Sequence, residues 1–338
     1  MNFKQFCAFA GKTSRRCALI AILAGMLGVL VVAPSNATTP GSEGKIVFVR
    51  HNQIYTMTKT GTRVKQLTSS GKNYRPRWSP NGQRISYINE DSTGRKNVFI
   101  MSATGTNKSK VTSSGTVTTT PVWSPDGGTL AFGQHVGSFS IDEIFLVKAT
   151  APYGNPTELM VYPIYYGPDA AQPMSAYDGT SLAWSPGGND LAVVNDDSED
   201  SPDTGMHLVH GMRNATAATA QTAVYAEDVI GGTGGECCGE ELWSDIDYIP
   251  NGTLGWAVAD RGDYFQWIDS PHYTLRYPGF VSQRGDKAGS PSPTGQHMVF
   301  VRVGSDGSTP NVWTSTIKGG SRTMIMKNGY QPDWQPMP

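Results

Sequence analysis

The chain has 338 residues, of which 38% are hydrophobic and 16% are charged, and its formal net charge at pH 7 is −1. This apolar content is enough to bury a core, so the composition excludes an intrinsically disordered protein. No basic run or arm follows the N-terminal segment, so the sequence predicts no nucleic-acid partner.

The first 37 residues have the features of a secretory signal. Their basic residues are Lys4, Lys12, Arg15 and Arg16. An uncharged apolar run over residues 18–33 follows, and Ser35-Asn36-Ala37 places small residues where a signal peptidase cuts. We expect cleavage after Ala37, by the general secretory or the twin-arginine route. The mature protein, residues 38–338, would then be secreted or periplasmic, with no stable membrane span. The alternative is an N-terminal membrane anchor, for which a run of about 16 residues is short.

A Pro-x-Gly turn followed by a short alternating strand recurs along the rest of the chain. The turn prolines are Pro80, Pro125, Pro186, Pro250, Pro293 and Pro336, at spacings of 45, 61, 64, 43 and 43 residues. Repeats of this length are typical of blade arrays. Ser-Pro-x-Gly suits a type I turn. The tryptophan that precedes the serine in most copies is predicted to pack between neighbouring units.

Each repeat predicts four strands. The strand that follows the turn has apolar residues at alternate positions, as in Ile85 and Tyr87. Two further strands come next, and in the fourth repeat we place them at residues 264–268 and 273–275, the latter as the outer strand. The stretch that leads into each turn supplies the remaining strand. Four-stranded units of this kind predict an all-β fold, a β-propeller.

The two ends of the chain complete each other. Residues 45–68 predict three strands with no leading strand, and residues 330–336 predict a leading strand with nothing after it. We therefore expect a six-bladed propeller of four-stranded blades, closed by N- and C-terminal strands that share one blade. Such closure leaves no sheet edge open between the ends.

The repeats resemble those of the TolB-type six-bladed propeller. The resemblance lies in Arg75-Pro76-Arg77-Trp78-Ser79-Pro80-Asn81-Gly82, Pro121-Val122-Trp123-Ser124-Pro125-Asp126-Gly127 and Val64-Lys65-Gln66-Leu67-Thr68. It implies a propeller standing alone. The sequence leaves no room for the α/β domain of TolB, or for the hydrolase domain of the prolyl-oligopeptidase-like enzymes that share this repeat.

Three segments depart from the repeat: residues 160–181, 195–205 and 226–247. The order of strands in a blade places all three on one face of adjacent blades, where variable loops commonly carry function. We predict a ligand-binding surface there, formed by Tyr162, Tyr165, Tyr166, Tyr177, Glu236, Glu240 and Trp243. The alternative for the tyrosines is packing of a long loop against the propeller.

Two further features lie in these segments. Adjacent Cys237 and Cys238 could form a strained vicinal disulfide, two free thiols, or a soft-metal site helped by Glu236 and Glu240. An acidic run could bind Ca²⁺ or could form a solvated loop. Its carboxylates are Asp196, Asp197, Glu199, Asp200 and Asp203.

Residues 38–338 contain no Gly-x-Ser-x-Gly elbow, His-Glu-x-x-His motif or phosphate loop. We therefore predict a non-catalytic, monomeric binding propeller whose ligand is a protein or a cell-surface glycan at the envelope. The alternative is a glycan lyase or hydrolase whose site is assembled from several blades, with or without a bound cation. An enzyme of this kind predicts carboxylates or histidines converging at the ring centre.

Overall fold

The computed structural model describes the residues of the predicted propeller in segments. These are residues 42–137, 141–163, 172–173, 175–177, 181–198, 201–214, 224–230, 241–252, 254–260, 272–276, 280–283, 285–303 and 309–337. The predicted signal segment and its cleavage site lie outside them.

Almost every described element is a β-strand. The first thirteen strands are β1 (Ser42–Arg50), β2 (Gln53–Met57), β3 (Lys65–Gln66), β4 (Lys72–Trp78), β5 (Arg84–Glu90), β6 (Lys96–Ser102), β7 (Ser109–Lys110), β8 (Val122–Trp123), β9 (Thr129–His135), β10 (Ile141–Lys148), β11 (Thr157–Glu158), β12 (Met160–Pro163) and β13 (Gln172–Pro173). The others are β14 (Ser175–Tyr177), β15 (Leu182–Trp184), β16 (Asp190–Ser198), β17 (Ser201–His210), β18 (Val224–Ile230), β19 (Glu241–Tyr248), β20 (Leu254–Asp260), β21 (His272–Arg276), β22 (Asp286–Pro291), β23 (His297–Val303), β24 (Pro310–Thr316), β25 (Thr323–Lys327) and β26 (Tyr330–Met337). A 3-10 helix, Met212–Asn214, follows β17.

The described strands form six sheets, in which every pairing is antiparallel except that of β12 with β18, and this arrangement confirms the all-β propeller. Three sheets have the predicted four strands, in the orders β26-β1-β2-β3, β4-β5-β6-β7 and β22-β23-β24-β25. The other three sheets depart from the uniform four-stranded blade in their described strands. Strand β14 adds to the sheet of β8–β11, β12 and β13 add to the sheet of β15–β18, and β19-β20-β21 has three described strands. Five of the six sheets thus have at least four strands, and the count of six blades stays a prediction.

The fourth repeat differs most from the predicted strand order. Residues 273–275 lie in β21, which pairs directly with β20, so they take the position next to β20 where the strand at residues 264–268 was predicted. The predicted strand at residues 264–268 lies outside the described residues. The sequence pattern misplaced β21 because a short alternating run fits any strand position equally well.

The repeated turn has the predicted geometry. In five copies the glycine N–H donates to the carbonyl three residues earlier, and the glycine φ lies between +65° and +90°. The serine hydroxyl oxygen accepts a hydrogen bond of 2.9–3.0 Å from the backbone N–H five residues later in the turns that begin at Ser79, Ser124, Ser185 and Ser292. The serine thus satisfies the first backbone donor of the next strand.

The tryptophans that precede these turns pack between sheets, as predicted. Trp78 is buried in a cluster that includes Val47 and Ile54 of the preceding sheet, and Trp184 is buried with Ile144 of its own preceding sheet. A large ring shared by two sheets buries apolar area from both, so each tryptophan joins its blade to the blade before it.

The N- and C-terminal strands share one sheet, as predicted. Strand β26 pairs antiparallel with β1, from Ser42 opposite Met337 to Val49 opposite Tyr330. Side chains also cross from this sheet to its neighbours. The Gln335 amide donates to the Gly82 carbonyl at 2.7 Å, and on the other side Glu43 accepts hydrogen bonds from His297 and Thr294.

We expect Gly82→Ala to destabilise the protein more than Gly252→Ala does. Both glycines have positive φ, +65° and +90°, which costs an alanine about 1 kcal/mol in either variant. A Cβ at Gly82 would in addition overlap with the Pro336 carbonyl oxygen, whereas nothing lies within 4 Å at Gly252. Denaturant unfolding should show an extra loss of about 1–3 kcal/mol for Gly82→Ala. Equal losses would contradict the described contact between the first turn and β26.

Candidate functional site

The antiparallel strand order gives the propeller two distinct faces. We call the face that carries the Ser-Pro-x-Gly turns the turn face, and the opposite face, where β9 leads into β10 and β16 into β17, the loop face. The three segments that depart from the repeat all leave their sheets at the loop face, because each follows an outer strand or lies between the second and third strands.

Residues 160–181 connect two neighbouring sheets through backbone pairing. Strand β12 pairs in parallel with β18, and Val161, Tyr162 and Pro163 lie opposite Val224, Tyr225 and Ala226. Strand β14 pairs with the start of β10, where Tyr177 lies opposite Ile141. The described parts of this segment, β12 to β14, therefore extend the sheet before it and the sheet after it, where a plain loop was expected.

The acidic segment 195–205 forms the end of a β-hairpin. Asp196 lies opposite Thr204, and Ser198 lies opposite Ser201 after a register shift. The expectation of a loop here was wrong, because the two strands continue their pairing beyond the rest of the sheet.

The predicted site residues divide into two groups. Tyr162, Tyr177, Asp196, Asp197, Asp203 and Trp243 lie in the strands β12, β14, β16, β17 and β19. The others lie outside the described residues, namely Tyr165, Tyr166, Glu199, Asp200, Glu236, Cys237, Cys238 and Glu240. The vicinal disulfide and the Ca²⁺ site stay predictions. In the described part of the chain, no three His, Cys, Asp or Glu side chains come together as a metal ion would require.

The part of the loop face beneath β14 is acidic. Asp142 is fully buried and lies 3.4 Å from His135, and Glu143 lies opposite Ser175 of β14. A hydrogen bond with Glu158, together with burial and the Glu158 charge, raises the pKa of Glu143 to about 7. Beside them, Val136 is 40% exposed. The described loop face thus presents the exposed Val136 next to the half-buried carboxyl groups of Glu143 and Glu158, with Asp142 beneath the surface.

A second candidate site lies where the inner strands of the six sheets meet. They surround a cavity of about 60 Å³ that opens to solvent. The residue directly before each tryptophan, or its counterpart, lines the cavity. In order around the ring these are Arg77, Val122, Ala183, Asp247, Ser290 and Asp333.

A repeated irregularity places these residues on the cavity wall. Strands β4, β19, β22 and β26 each have a register shift just before the lining position, for example between Tyr74 and Arg77 and between Ser244 and Asp247. A bulge turns the next side chain to a different direction. Sequence reasoning missed this ring. The sequence signal that could have found the ring is the residue before the tryptophan, which differs from repeat to repeat while the turn recurs.

Asp333 joins three inner strands. Its Oδ2 accepts a 2.6 Å hydrogen bond from the Trp78 backbone N–H of β4, and its Oδ1 accepts a 3.1 Å hydrogen bond from the Ser290 hydroxyl of β22. Arg77 Nη1 lies 3.6 Å from Oδ1. Burial raises the pKa of Asp333, while Arg77 and these hydrogen bonds act in the opposite direction.

Asp247 lies on the same cavity wall, where its carboxyl group is less well compensated by neighbouring polar groups than that of Asp333. Its Oδ1 accepts a 2.8 Å hydrogen bond from the Tyr248 backbone N–H. Burial, reinforced by the nearby Asp333 charge and opposed by Arg77, raises the pKa of Asp247 to about 7. One guanidinium therefore faces two carboxyl groups, and the second keeps its proton up to neutral pH.

Comparisons with known proteins agree with this architecture. A segment of 95 residues, 26% of this chain, is 34% identical to the Tol-Pal system protein TolB of Alcanivorax borkumensis. The crystal structure of TolB from Acinetobacter baumannii superposes on 87% of this chain and 67% of its own, with a TM-score of 0.61 at 15% identity. The chain has a TolB-like β-propeller.

Other comparisons add less. A segment of 87 residues, 25% of the chain, is 32% identical to the uncharacterized peptidase YuxL of Bacillus subtilis. The matched segments span 22% of the length of TolB and 13% of that peptidase. No family model matches the chain. Within the described part of this TolB-like propeller, no helix has the length and hydrophobicity to cross a membrane.

We expect Asp247→Asn to remove a pH dependence from the stability of the TolB-like propeller. Because the folded pKa of about 7 exceeds the ordinary value of 3.8, the folded state holds this proton more tightly than the unfolded state. The free energy of unfolding of the wild type therefore falls as pH rises from about 4 to about 7, and an asparagine abolishes this component. The variant Ser290→Ala keeps the titrating group but removes a hydrogen bond that lowers its pKa, so it should keep the slope and extend it to higher pH. Parallel pH profiles of wild type and Asp247→Asn, measured by denaturant unfolding, would contradict this electrostatic environment.

Proposed function

We propose that the protein is a non-catalytic, extracytoplasmic binding propeller that captures a protein at the cell envelope through its loop face. A cell-surface glycan is the alternative ligand. The proposal includes six blades, a monomeric state, export with cleavage after Ala37, and a vicinal disulfide between Cys237 and Cys238 near the binding surface.

The observation that carries this proposal is the pairing of residues 160–177 with two sheets at once. Backbone pairing of β12 with β18 and of β14 with β10 extends the loop face across neighbouring blades. A backbone held at both ends loses less conformational entropy when a partner binds than a free loop does. The exposed Val136 and the carboxyl groups beneath β14 add apolar and acidic contacts beside it.

The comparisons support the cellular setting. The relative from Alcanivorax borkumensis is a Tol-Pal system protein. If this chain shares the setting of that relative, its partner is an envelope protein. The acidic residues of the loop face favour a partner with a basic surface, because complementary charge increases the rate of encounter.

A second candidate, a glycan lyase or hydrolase, draws support from the cavity. Asp247 and Asp333 both border it, and a carboxyl with a pKa of about 7 suits a general acid. Against this candidate, Asp333 already accepts hydrogen bonds from Trp78 and Ser290 and lies beside Arg77, so its oxygens are committed to holding strands together.

Site-specific photo-crosslinking in exporting cells tests the proposal. A photoreactive residue at Val136, on the loop face, should give a discrete adduct that protease treatment removes. The same residue at Asn251, an exposed position in a Ser-Pro-x-Gly-type turn on the turn face, is the matched control and should not give that adduct.

The other possible outcomes of the crosslinking experiment distinguish the alternatives. An adduct that resists protease and is removed by glycosidases would favour the glycan ligand. The same protein adduct from both positions, or none from Val136, would contradict binding at the loop face. An adduct from Val136 that Asp247→Asn leaves unchanged would separate binding from any chemistry in the cavity.

A further inference from the structure

The turn face carries basic side chains without matching carboxylates. Residues 38–338 hold 23 Lys and Arg against 28 Asp and Glu, so the propeller as a whole is acidic. The turn face nevertheless exposes basic side chains that no described carboxylate pairs with, namely Arg63, Lys65, Lys108, Lys148, Arg213 and Lys318.

The carboxylates of the same face are largely engaged. Glu43 is paired with Lys59 and His297, and Asp190 is paired with His210. Asp126 remains, and it accepts hydrogen bonds from Ser124 and from the Gly128 backbone N–H within its own turn. The six basic side chains named above outnumber Glu43, Asp190 and Asp126, so the described turn face carries a net positive charge.

The positive charge is most concentrated on two adjacent turns, in the closing sheet and the sheet after it. The Lys65 ammonium donates to the Thr104 carbonyl at 3.0 Å, and the Lys108 ammonium donates to the next carbonyl, that of Gly105. Two ammonium groups are thus held at neighbouring carbonyls of one turn, with the exposed Arg63 next to them in sequence. Fixed like charges favour an anion in the space they share.

Apolar side chains accompany these charges. Val64, between Arg63 and Lys65, is 43% exposed, and Met337, at the end of β26 in the same sheet, is also 43% exposed. A small soluble anion gains no binding energy from exposed apolar side chains. The headgroup region of a bilayer accepts them together with the basic groups.

We propose that the turn face, around Arg63, Lys65 and Lys108, is a docking surface for an anionic phospholipid bilayer. The phosphates of the headgroups are the anions that the two turns recognise. Docking in this way points the loop face away from the membrane, where a partner can reach it. The inference does not depend on the identity of that partner.

Vesicle binding tests the proposal with the protein as isolated from exporting cells. Vesicles of phosphatidylcholine with about 30% phosphatidylglycerol should bind the protein at low salt, and pure phosphatidylcholine vesicles should not. The triple variant R63Q/K65Q/K108Q should lower the partition coefficient roughly 100-fold, since each lost charge near the surface weakens binding about fivefold. The matched control K72Q/K96Q/K327Q removes the same charge from the loop-face ends of β4, β6 and β25 and should change binding less than about threefold.

Three results would overturn the proposal: no preference for the anionic vesicles, an equal loss in both triple variants, or binding that follows charge alone. Dextran sulfate, a soluble polyanion, separates the last case. V64S/M337S should weaken binding to vesicles and leave binding to dextran sulfate unchanged, and an equal effect on both would contradict a bilayer. Thermal unfolding of each variant shows whether a loss reflects the surface or the fold.

Discussion

The side chain of Asp333 is the contact on which the closed ring depends. It lies on the last strand of the chain and accepts hydrogen bonds from the inner strands of both neighbouring sheets, through Trp78 and Ser290. A buried carboxylate is costly unless charged and polar partners compensate it, and Arg77 completes that compensation. The same strand pairs with β1. Strand β26 therefore links the sheet that joins the chain ends to the sheet of β4–β7 on one side and to the sheet of β22–β25 on the other.

The molecule separates its scaffold from its variable positions. The turn and the tryptophan are nearly constant, and they fix the spacing between sheets. The residue before the tryptophan differs from repeat to repeat and lines the cavity, although Val122 and Ala183 also pack in hydrophobic clusters. Variation at the loop face takes another form, in which added strands pair with existing sheets. Within this chain the cavity wall and the loop face thus differ between blades, while the turns and the tryptophans recur.

Local, repeated chemistry could be predicted from the sequence, and contacts between distant segments could not. The serine, proline and glycine of each turn determine their own hydrogen bonds, so the turns, the tryptophan packing and the shared terminal sheet followed from the repeats. The parallel pairing of Tyr162 with Tyr225 joins segments with no common pattern, and the hairpin at Asp196 extends a strand through polar residues. The cavity ring depends on bulges, and the basic turn face gathers single residues from separate turns, so neither forms a motif in the sequence.

A double-mutant cycle on Asp333 and Arg77 tests most directly whether the central carboxylate closes the ring. Removing one partner of a buried pair leaves the other uncompensated, so Asp333→Ala should lower the free energy of unfolding by about 3–5 kcal/mol. The double variant Asp333→Ala with Arg77→Ala should lose less than the sum of the two single variants, with a coupling of about 1–3 kcal/mol. A loss below about 1 kcal/mol for Asp333→Ala, together with additive effects, would show that the strands close without this contact.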